Sequence, residues 1–469
     1  MKVLCPLVAS WCLAVSQVVF CPPCPAPAAE ASRPNVIFIL ADDMGYGDLG
    51  CYGQKKIKTP HIDRMAAEGM RFTQAYCGTS VCAPSRCALM TGQHIGHAPI
   101  RANRELKPEG QEPLPEGTFT VARLFQAAGY KTAAFGKWGL GFVDSTGSPD
   151  KMGFDLFFGY NCQRQAHNFY PDHLWRNRQR VELDGKTYSH DLIVSESLRW
   201  VRENADSPFF LYLPVTIPHP QYQVPDLGPY ANEPWPEEMK KYAAMITRLD
   251  GDVGRLLALL KELGIDGRTL VIFTSDNGAA NKAVLDLFQS NGPLRGTKRT
   301  MYEGGIREPA IARWPGTIKP GTVSQTPWAF YDFLPTAAEL IGRPLPAGVK
   351  TDGISIVPAL LGGTMPKREY LYWELHEPRF MQAVRMGDWK GIRYGSLTAP
   401  VELYDLAKDP QEKQNVAAGH PEVVSRIASL MKAAHVEAPR FPDGKAQAPK
   451  QGAKQGKRAK KKLTEGAAT

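Results

Sequence analysis

The chain has 469 residues, enough to bury a sizeable core in one large domain with a smaller one beside it. Its 43% hydrophobic and 22% charged residues are the balance of a soluble globular protein, which excludes a disordered chain or a membrane-embedded one. The net charge of +9 is concentrated at one end: from Arg440 on, nine Lys or Arg face only Asp443 and Glu465, so the body is close to neutral and implies no specific nucleic-acid partner.

Residues 1–31 read as a secretory signal peptide. Lys2 supplies the positive start, residues 3–20 are largely apolar, and residues 22–29 are Pro, Cys and Ala. Pro6, Ser10, Ser16 and Gln17 interrupt the stretch, so no transmembrane segment is expected. Phe20 before Cys21 is too bulky for a lipid-attachment site. The mature protein is therefore expected to be secreted or periplasmic, with Cys51, Cys77, Cys82, Cys87 and Cys162 and no spacing that makes a zinc site.

Four short apolar runs, 35–40, 130–135, 209–213 and 269–273, have the pattern of strands buried on both faces. Each is followed by polar groups: Asp42 and Asp43, then Lys137, then His219, then Asp276 and Asn277. Ligands of an α/β sheet collect beyond the carboxyl ends of its strands. Four distant stretches thus bring two carboxylates, a Lys, a His and an Asp-Asn pair to one sheet edge. Helical patterns at 120–128, before Gly129, and 239–263, before Gly264, alternate with these runs. Beyond residues 342–352 the texture changes to short strands at 370–374, 380–386, 389–394 and 401–404, then a helix at 421–435. The expected fold is α/β, with a large mostly parallel sheet between helices and a smaller C-terminal antiparallel sheet with one helix. The expected divisions are 32–345 for the large domain, 346–438 for the antiparallel subdomain and 439–469 for a basic disordered tail.

Asp42, Asp43, Asp276 and Asn277 offer hard oxygen ligands, which favours Ca²⁺ or Mg²⁺ over zinc. Residues 82–86 read Cys-Ala-Pro-Ser-Arg, where a loop enters a helix. Free N–H groups there favour an anion, and Arg86 lies one turn on, reaching back to residue 82. Lys137 and Lys298 add positive charge where a transition state would gather negative charge.

The Cys82 pentapeptide resembles the signal read by the formylglycine-generating enzyme. With Asp42-Asp43, Gly136-Lys137-Trp138, His219, Asp276-Asn277-Gly278 and Leu294-Arg295-Gly296-Thr297-Lys298 in that order, the chain resembles the type I, arylsulfatase-like sulfatase family over roughly residues 34–435. The later Gly387-Asp388-Trp389-Lys390 and Leu403-Tyr404-Asp405 resemble that family's C-terminal subdomain. The resemblance implies an alkaline phosphatase-like fold. It implies one Ca²⁺ held by Asp42, Asp43, Asp276, Asn277 and residue 82. It implies that Cys82 is oxidised to formylglycine, whose hydrate attacks sulfur. Arg86 and Lys137 would position hydrate and sulfate, and His219 and Lys298 would assist the leaving group. The second hydroxyl of the hydrate then loses its proton, sulfate departs and the aldehyde returns.

Gly139 departs from the family pattern, which often has His there, and Gln93 stands where Arg is frequent. His167, in the polar cluster 163–168, is one candidate for part of the missing role; the alternative is a substrate-contacting or surface His. The substrate is expected to be a sulfated saccharide, with Arg164, His167, Asn168, Trp175 and His376 as candidate sugar contacts. Two other readings share these residues: a phosphodiesterase or phosphonate monoester hydrolase of the same superfamily, and a non-catalytic binder of sulfated glycans.

Overall fold

In the computed structural model, Met1 and residues 33–441 are described. The expected leader, and the expected basic tail beyond residue 441, lie outside the described residues. No helix among the described residues is long and apolar enough to cross a membrane.

The described body, residues 34–441, is one compact unit built on an 11-stranded sheet. Its centre is five parallel strands, side by side in the order Thr269–Ser275, Asn35–Ala41, Phe209–Pro214, Lys131–Lys137 and Leu156–Tyr160. Four of these are the apolar runs read from the sequence. On one flank Arg307–Arg313 runs antiparallel to Thr269–Ser275 and Met70–Tyr76 antiparallel to Arg307–Arg313 in turn, and on the other His173–Arg176 and Gln179–Glu182 form a closing hairpin.

The central strand shows why these runs are continuously apolar. Val36, Phe38 and Leu40 belong to the core on one face, and Ile37, Ile39 and Ala41 to the core on the other. Each such fully buried Ile or Phe contributes roughly 1.5–3 kcal/mol. Phe38 meets Phe333 at 4.7 Å on the first face. The second face is covered by the helix Glu237–Glu262, whose buried Tyr242, Met245, Leu249, Val253, Leu256 and Leu260 follow the helical period. Glu237 and Glu238 sit favourably in its first turn, and Gly264, at φ 66°, follows its end.

The C-terminal strands Leu371–Leu375, Met381–Met386, Trp389–Tyr394 and Glu402–Asp405 pair antiparallel in chain order. The helix Pro421–Ala434 covers one face through Ile427, Leu430 and Met431 against Tyr372, Val384 and Leu403. The other face places Leu371, Trp373, Leu375, Ala383 and Ile392 in the core of the large sheet. Polar ties reach the loop before residue 82: Trp373 Nε1 donates to Cys77 O at 3.0 Å, and Thr79 Oγ1 donates to Glu374 O at 2.8 Å.

Candidate active site

The five parallel strands end at one edge, and the polar groups read from the sequence meet there. Asp42 and Asp43 follow Asn35–Ala41 directly. Asp42 N–H donates to Ile217 O at 3.1 Å and Asp276 N–H to Ala41 O at 3.0 Å, which locks three strand ends together. Asp43 has φ 65°, a left-handed conformation that non-glycine residues rarely hold. Its N–H donates to Asp276 Oδ1 at 3.2 Å.

Cys82 opens the helix Cys82–Thr91, all of whose residues are buried. Val81 before it is extended, and Pro84 lies in the first turn, where a missing N–H costs no intrahelical bond. Ala83 N–H donates to Asn103 Oδ1 at 3.0 Å. Arg86, one turn on, donates from Nε and Nη2 to Asp276 Oδ2 at 3.1 and 2.7 Å, and from Nη1 to Lys137 O at 2.6 Å. Lys137 Nζ donates to Asp42 Oδ2 at 2.7 Å. The loop carrying Lys298 runs between the Asn277 and Cys82 segments: Lys298 N–H donates to Ala279 O at 3.0 Å and Arg299 N–H to Ser80 O at 2.9 Å. Lys298 Nζ reaches Asp43 Oδ1 and Oδ2 at 2.6 and 2.8 Å, Cys82 Sγ at 3.4 Å and His219 Nε2 at 3.4 Å. Cys82 Sγ also lies 3.5 Å from Asp42 Oδ1.

Three buried cations thus interleave with three buried carboxylates. Burial opposes ionisation of Asp42, but Lys137, His219 and Arg86 hold it well below the carboxylate range. Burial and the Asp42 charge push Asp276 up to about 6. Burial pushes the Cys82 thiol up to about 12, against the pull of Lys137 and Lys298. His219 is taken down to about 4 by burial, with the charges of Asp43 and Asp42 opposing. Its Nδ1 lies 3.1 Å from Pro220 O, so that nitrogen carries the proton and Nε2 faces Asp43 and Lys298.

The donor set suits a divalent cation. Ligand atoms of Asp42, Asp43, Cys82 and His219 all lie within 4.8 Å of one another. Asn277 Nδ2 donates to Asp43 Oδ1 at 2.6 Å, while its Oδ1 is buried with no hydrogen-bond partner. An orphaned buried amide oxygen among carboxylates is what a hard ion would satisfy.

A cleft of about 670 Å³ opens over the group, lined by Asp43, Cys82, His167, His219 and Lys298. His167 stacks on His219 with ring centroids 3.7 Å apart. Arg164 also lines the cleft, its guanidinium held by Glu105 and by Pro108 O. The other expected sugar contacts are placed elsewhere. Asn168 Oδ1 accepts from Tyr170 N–H at 3.1 Å, Trp175 Nε1 donates to Glu109 at 2.6 Å, and His376 pairs with buried Glu374 at 2.7 Å. The next residue, Glu377, is the one that lines the cleft, gripped by Asn103 through N–H at 2.9 Å and Nδ2 at 3.0 Å. Gln111, Gln163, Asn281 and Arg299 are further lining residues that the motif reading missed. Gln163 follows the strand Leu156–Tyr160 and Asn281 lies four residues past Asn277, whereas Gln111 and Arg299 stand beside no strand-end signal. The described cysteines are all free thiols.

The family model described as sulfatase matches residues 34–343, and that for the C-terminal part of N-sulphoglucosamine sulphohydrolase matches residues 296–440. This chain belongs to the sulfatase family. Human arylsulfatase A is 35% identical over 86% of this chain and 88% of its own length. The N-acetylgalactosamine-6-sulfatase of Canis lupus familiaris is also 35% identical, over 77% of this chain and 72% of its own. Among solved structures, Ps i-CgsB in complex with k-i-k-neocarrahexaose superposes with a TM-score of 0.76 at 29% identity, covering 86% of this chain and 92% of that one. This sulfatase has the alkaline phosphatase-like fold that its resemblance implied and is a sulfuric ester hydrolase.

Proposed function

We propose that this sulfatase is secreted and releases sulfate from a sulfated saccharide, with Cys82 converted to formylglycine by a formylglycine-generating enzyme and one Ca²⁺ beside it. The observation that carries the reading is Cys82 Sγ at the floor of the cleft, 3.4 Å from Lys298 Nζ and 3.5 Å from Asp42 Oδ1. The formylglycine hydrate would supply a nucleophile with a second oxygen through which sulfate can leave. Asp42, Asp43, Asp276, Asn277 and residue 82 would hold the ion, which supplies charge against sulfate oxygens.

The chain's own residues do the rest. Lys137 and Lys298 bring positive charge to the bound sulfate without needing to move, since carboxylates already hold them in place. Arg86 keeps Asp276 and the end of the Lys137 strand in register with residue 82. His219 stands at the cleft wall, where the leaving oxygen would emerge. His167, stacked on it, excludes water from one side and takes part in proton removal. Asn277, a neutral amide, favours a single divalent ion, and with it sulfate over phosphodiester chemistry. The saccharide assignment is supported by sugar-named relatives and by the polar rim of Asn103, Asn281 and Glu377.

Mass spectrometry of the peptide spanning residue 82, joined to sulfate release from defined sulfated sugars, tests the reading. The expected result is an aldehyde or its hydrate in the active fraction. A fully active preparation that keeps an intact thiol overturns it.

A further inference from the structure

Gly139 lies just past the end of Lys131–Lys137, at φ 74°. A Cβ built on it would meet Gln163 Nε2 at 2.2 Å, a distance that real side chains do not tolerate. The two segments are held together: Trp138 N–H donates to Tyr160 O at 2.9 Å and Gly139 N–H to Asn161 O at 3.1 Å. Gln163 therefore fills the volume that a side chain at 139 would occupy. Its N–H is in turn held by Gln111 Oε1 at 3.4 Å.

Gln163 is only 8% exposed, yet neither Nε2 nor Oε1 of its buried carboxamide has a hydrogen-bond partner. It lines the cleft with Cys82, His167, His219 and Lys298. Gln111 Nε2, beside it on the same wall, is also unpartnered. Buried unpaired amides cost free energy, and a fold keeps them where a ligand completes the bonds.

We propose that Gln163 is a substrate-contacting residue of this enzyme: Nε2 donates to an oxygen of the sulfate ester, in the space vacated at Gly139. The proposal rests on the sulfatase reading and deepens it. A carboxamide neither gives nor takes a full proton near neutral pH, so Gln163 orients and binds, and proton removal stays with the His219–His167 side of the cleft. The neutral donor also fits a site that already holds Arg86, Lys137 and Lys298: it adds a directed bond without another charge.

The test uses full-length enzyme shown by mass spectrometry to carry the converted residue 82, with 4-nitrophenyl sulfate as substrate and inorganic sulfate as inhibitor. Gln163→Leu keeps the bulk and removes both polar atoms. Its kcat/KM is expected to fall about 10- to 100-fold, with inhibition by sulfate weakened in step. Its melting temperature is expected to hold or rise, because an unpaired buried amide has been replaced by an apolar group. Gln163→Glu, which sets a carboxylate against the sulfate, is expected to lose more than Gln163→Leu. If Gln163→Leu keeps kcat/KM and sulfate inhibition within about twofold of the parent, the proposal is overturned. The same holds if only its melting temperature falls, since that marks a packing role. Should the unaltered enzyme release no sulfate from any sulfated substrate, it is the sulfate-ester reading that fails, which is a different result.

Discussion

Asp43 holds φ 65° at a strand end, and its carboxylate takes both Lys298 Nζ and Asn277 Nδ2. Such strain persists only where surrounding bonds over-determine it. The residue is the joint between the Lys298 loop and the Asn277 loop, so damage to any partner should be local and chemical. Lys298→Met preserves length and loses the charge beside Cys82. We expect kcat to fall about 100- to 1,000-fold, the usual cost of deleting one charge-stabilising donor. A loss below tenfold, measured by sulfate release with folding confirmed by circular dichroism, would remove Lys298 from the chemistry. Asn277 makes a second residue-scale case. Its unpaired Oδ1 is a cost unless a cation meets it. Asn277→Leu should erase any rise in melting temperature on Ca²⁺ addition, and should also lower metal-free stability, because the bond from Nδ2 to Asp43 is lost with the oxygen. A variant that keeps the full Ca²⁺ response shows the oxygen is not a ligand.

Among the elements, the helix Cys82–Thr91 and the strand Leu371–Leu375 carry most of the burden of holding the site still. The helix has no charged residue except Arg86, which is wholly buried and saturated by Asp276 and Lys137 O. Arg86→Lys cannot reproduce that fork. It should cost about 3–5 kcal/mol of stability, read from denaturant unfolding, because Asp276 is left buried beside Asp42. Strand Leu371–Leu375 carries Glu374, which accepts from His376 and His435 at 2.7 Å each, from Arg101 at 3.1 Å and from Tyr372 OH at 2.5 Å. Burial works against its ionisation, but the two His bonds and Arg101 win and hold it well below the usual glutamate value of 4.5. A carboxylate depressed on folding contributes its stability above the unfolded value and loses it as pH falls toward the folded one. The subdomain should thus weaken progressively below pH 4.5, and Glu374→Gln should flatten that part of the stability profile. An unchanged acid limb in Glu374→Gln would shift the effect to other groups.

At the scale of the whole molecule, the cleft exists because two sheets meet. The large sheet supplies its floor, and Glu377, beyond the first strand of the small sheet, closes on Asn103 across 274 residues of chain. Buried Lys390, bonded to Glu303 and Glu412 at 2.8 Å each, ties the small sheet to the segment just after Lys298. Metal loading should then be felt globally. Ca²⁺ at 100 times its dissociation constant should add about 2.7 kcal/mol to unfolding stability, and chelation should remove it. A melting temperature indifferent to both Ca²⁺ and chelator would show that no such ion is held.

Much of this was legible along the chain. The runs at 35–40, 130–135, 209–213 and 269–273 became the strands Asn35–Ala41, Lys131–Lys137, Phe209–Pro214 and Thr269–Ser275 because a strand buried on both faces has no other way to be written. Parallel strands put all their carboxyl ends on one side, so Asp42, Asp43, Lys137, Asp276 and Asn277 had to converge once that sheet formed. The sequence alone thus determined the strands and the polar groups at their ends, each encoded within a few neighbouring residues, and the alternation of strands with helices pointed to their parallel direction. Only the tertiary structure decided that Gln163 fills the space beside Gly139 and that Glu377 rather than His376 faces the cleft. Those outcomes depend on how irregular loops pack against distant segments, and loop packing leaves no periodic trace in the chain.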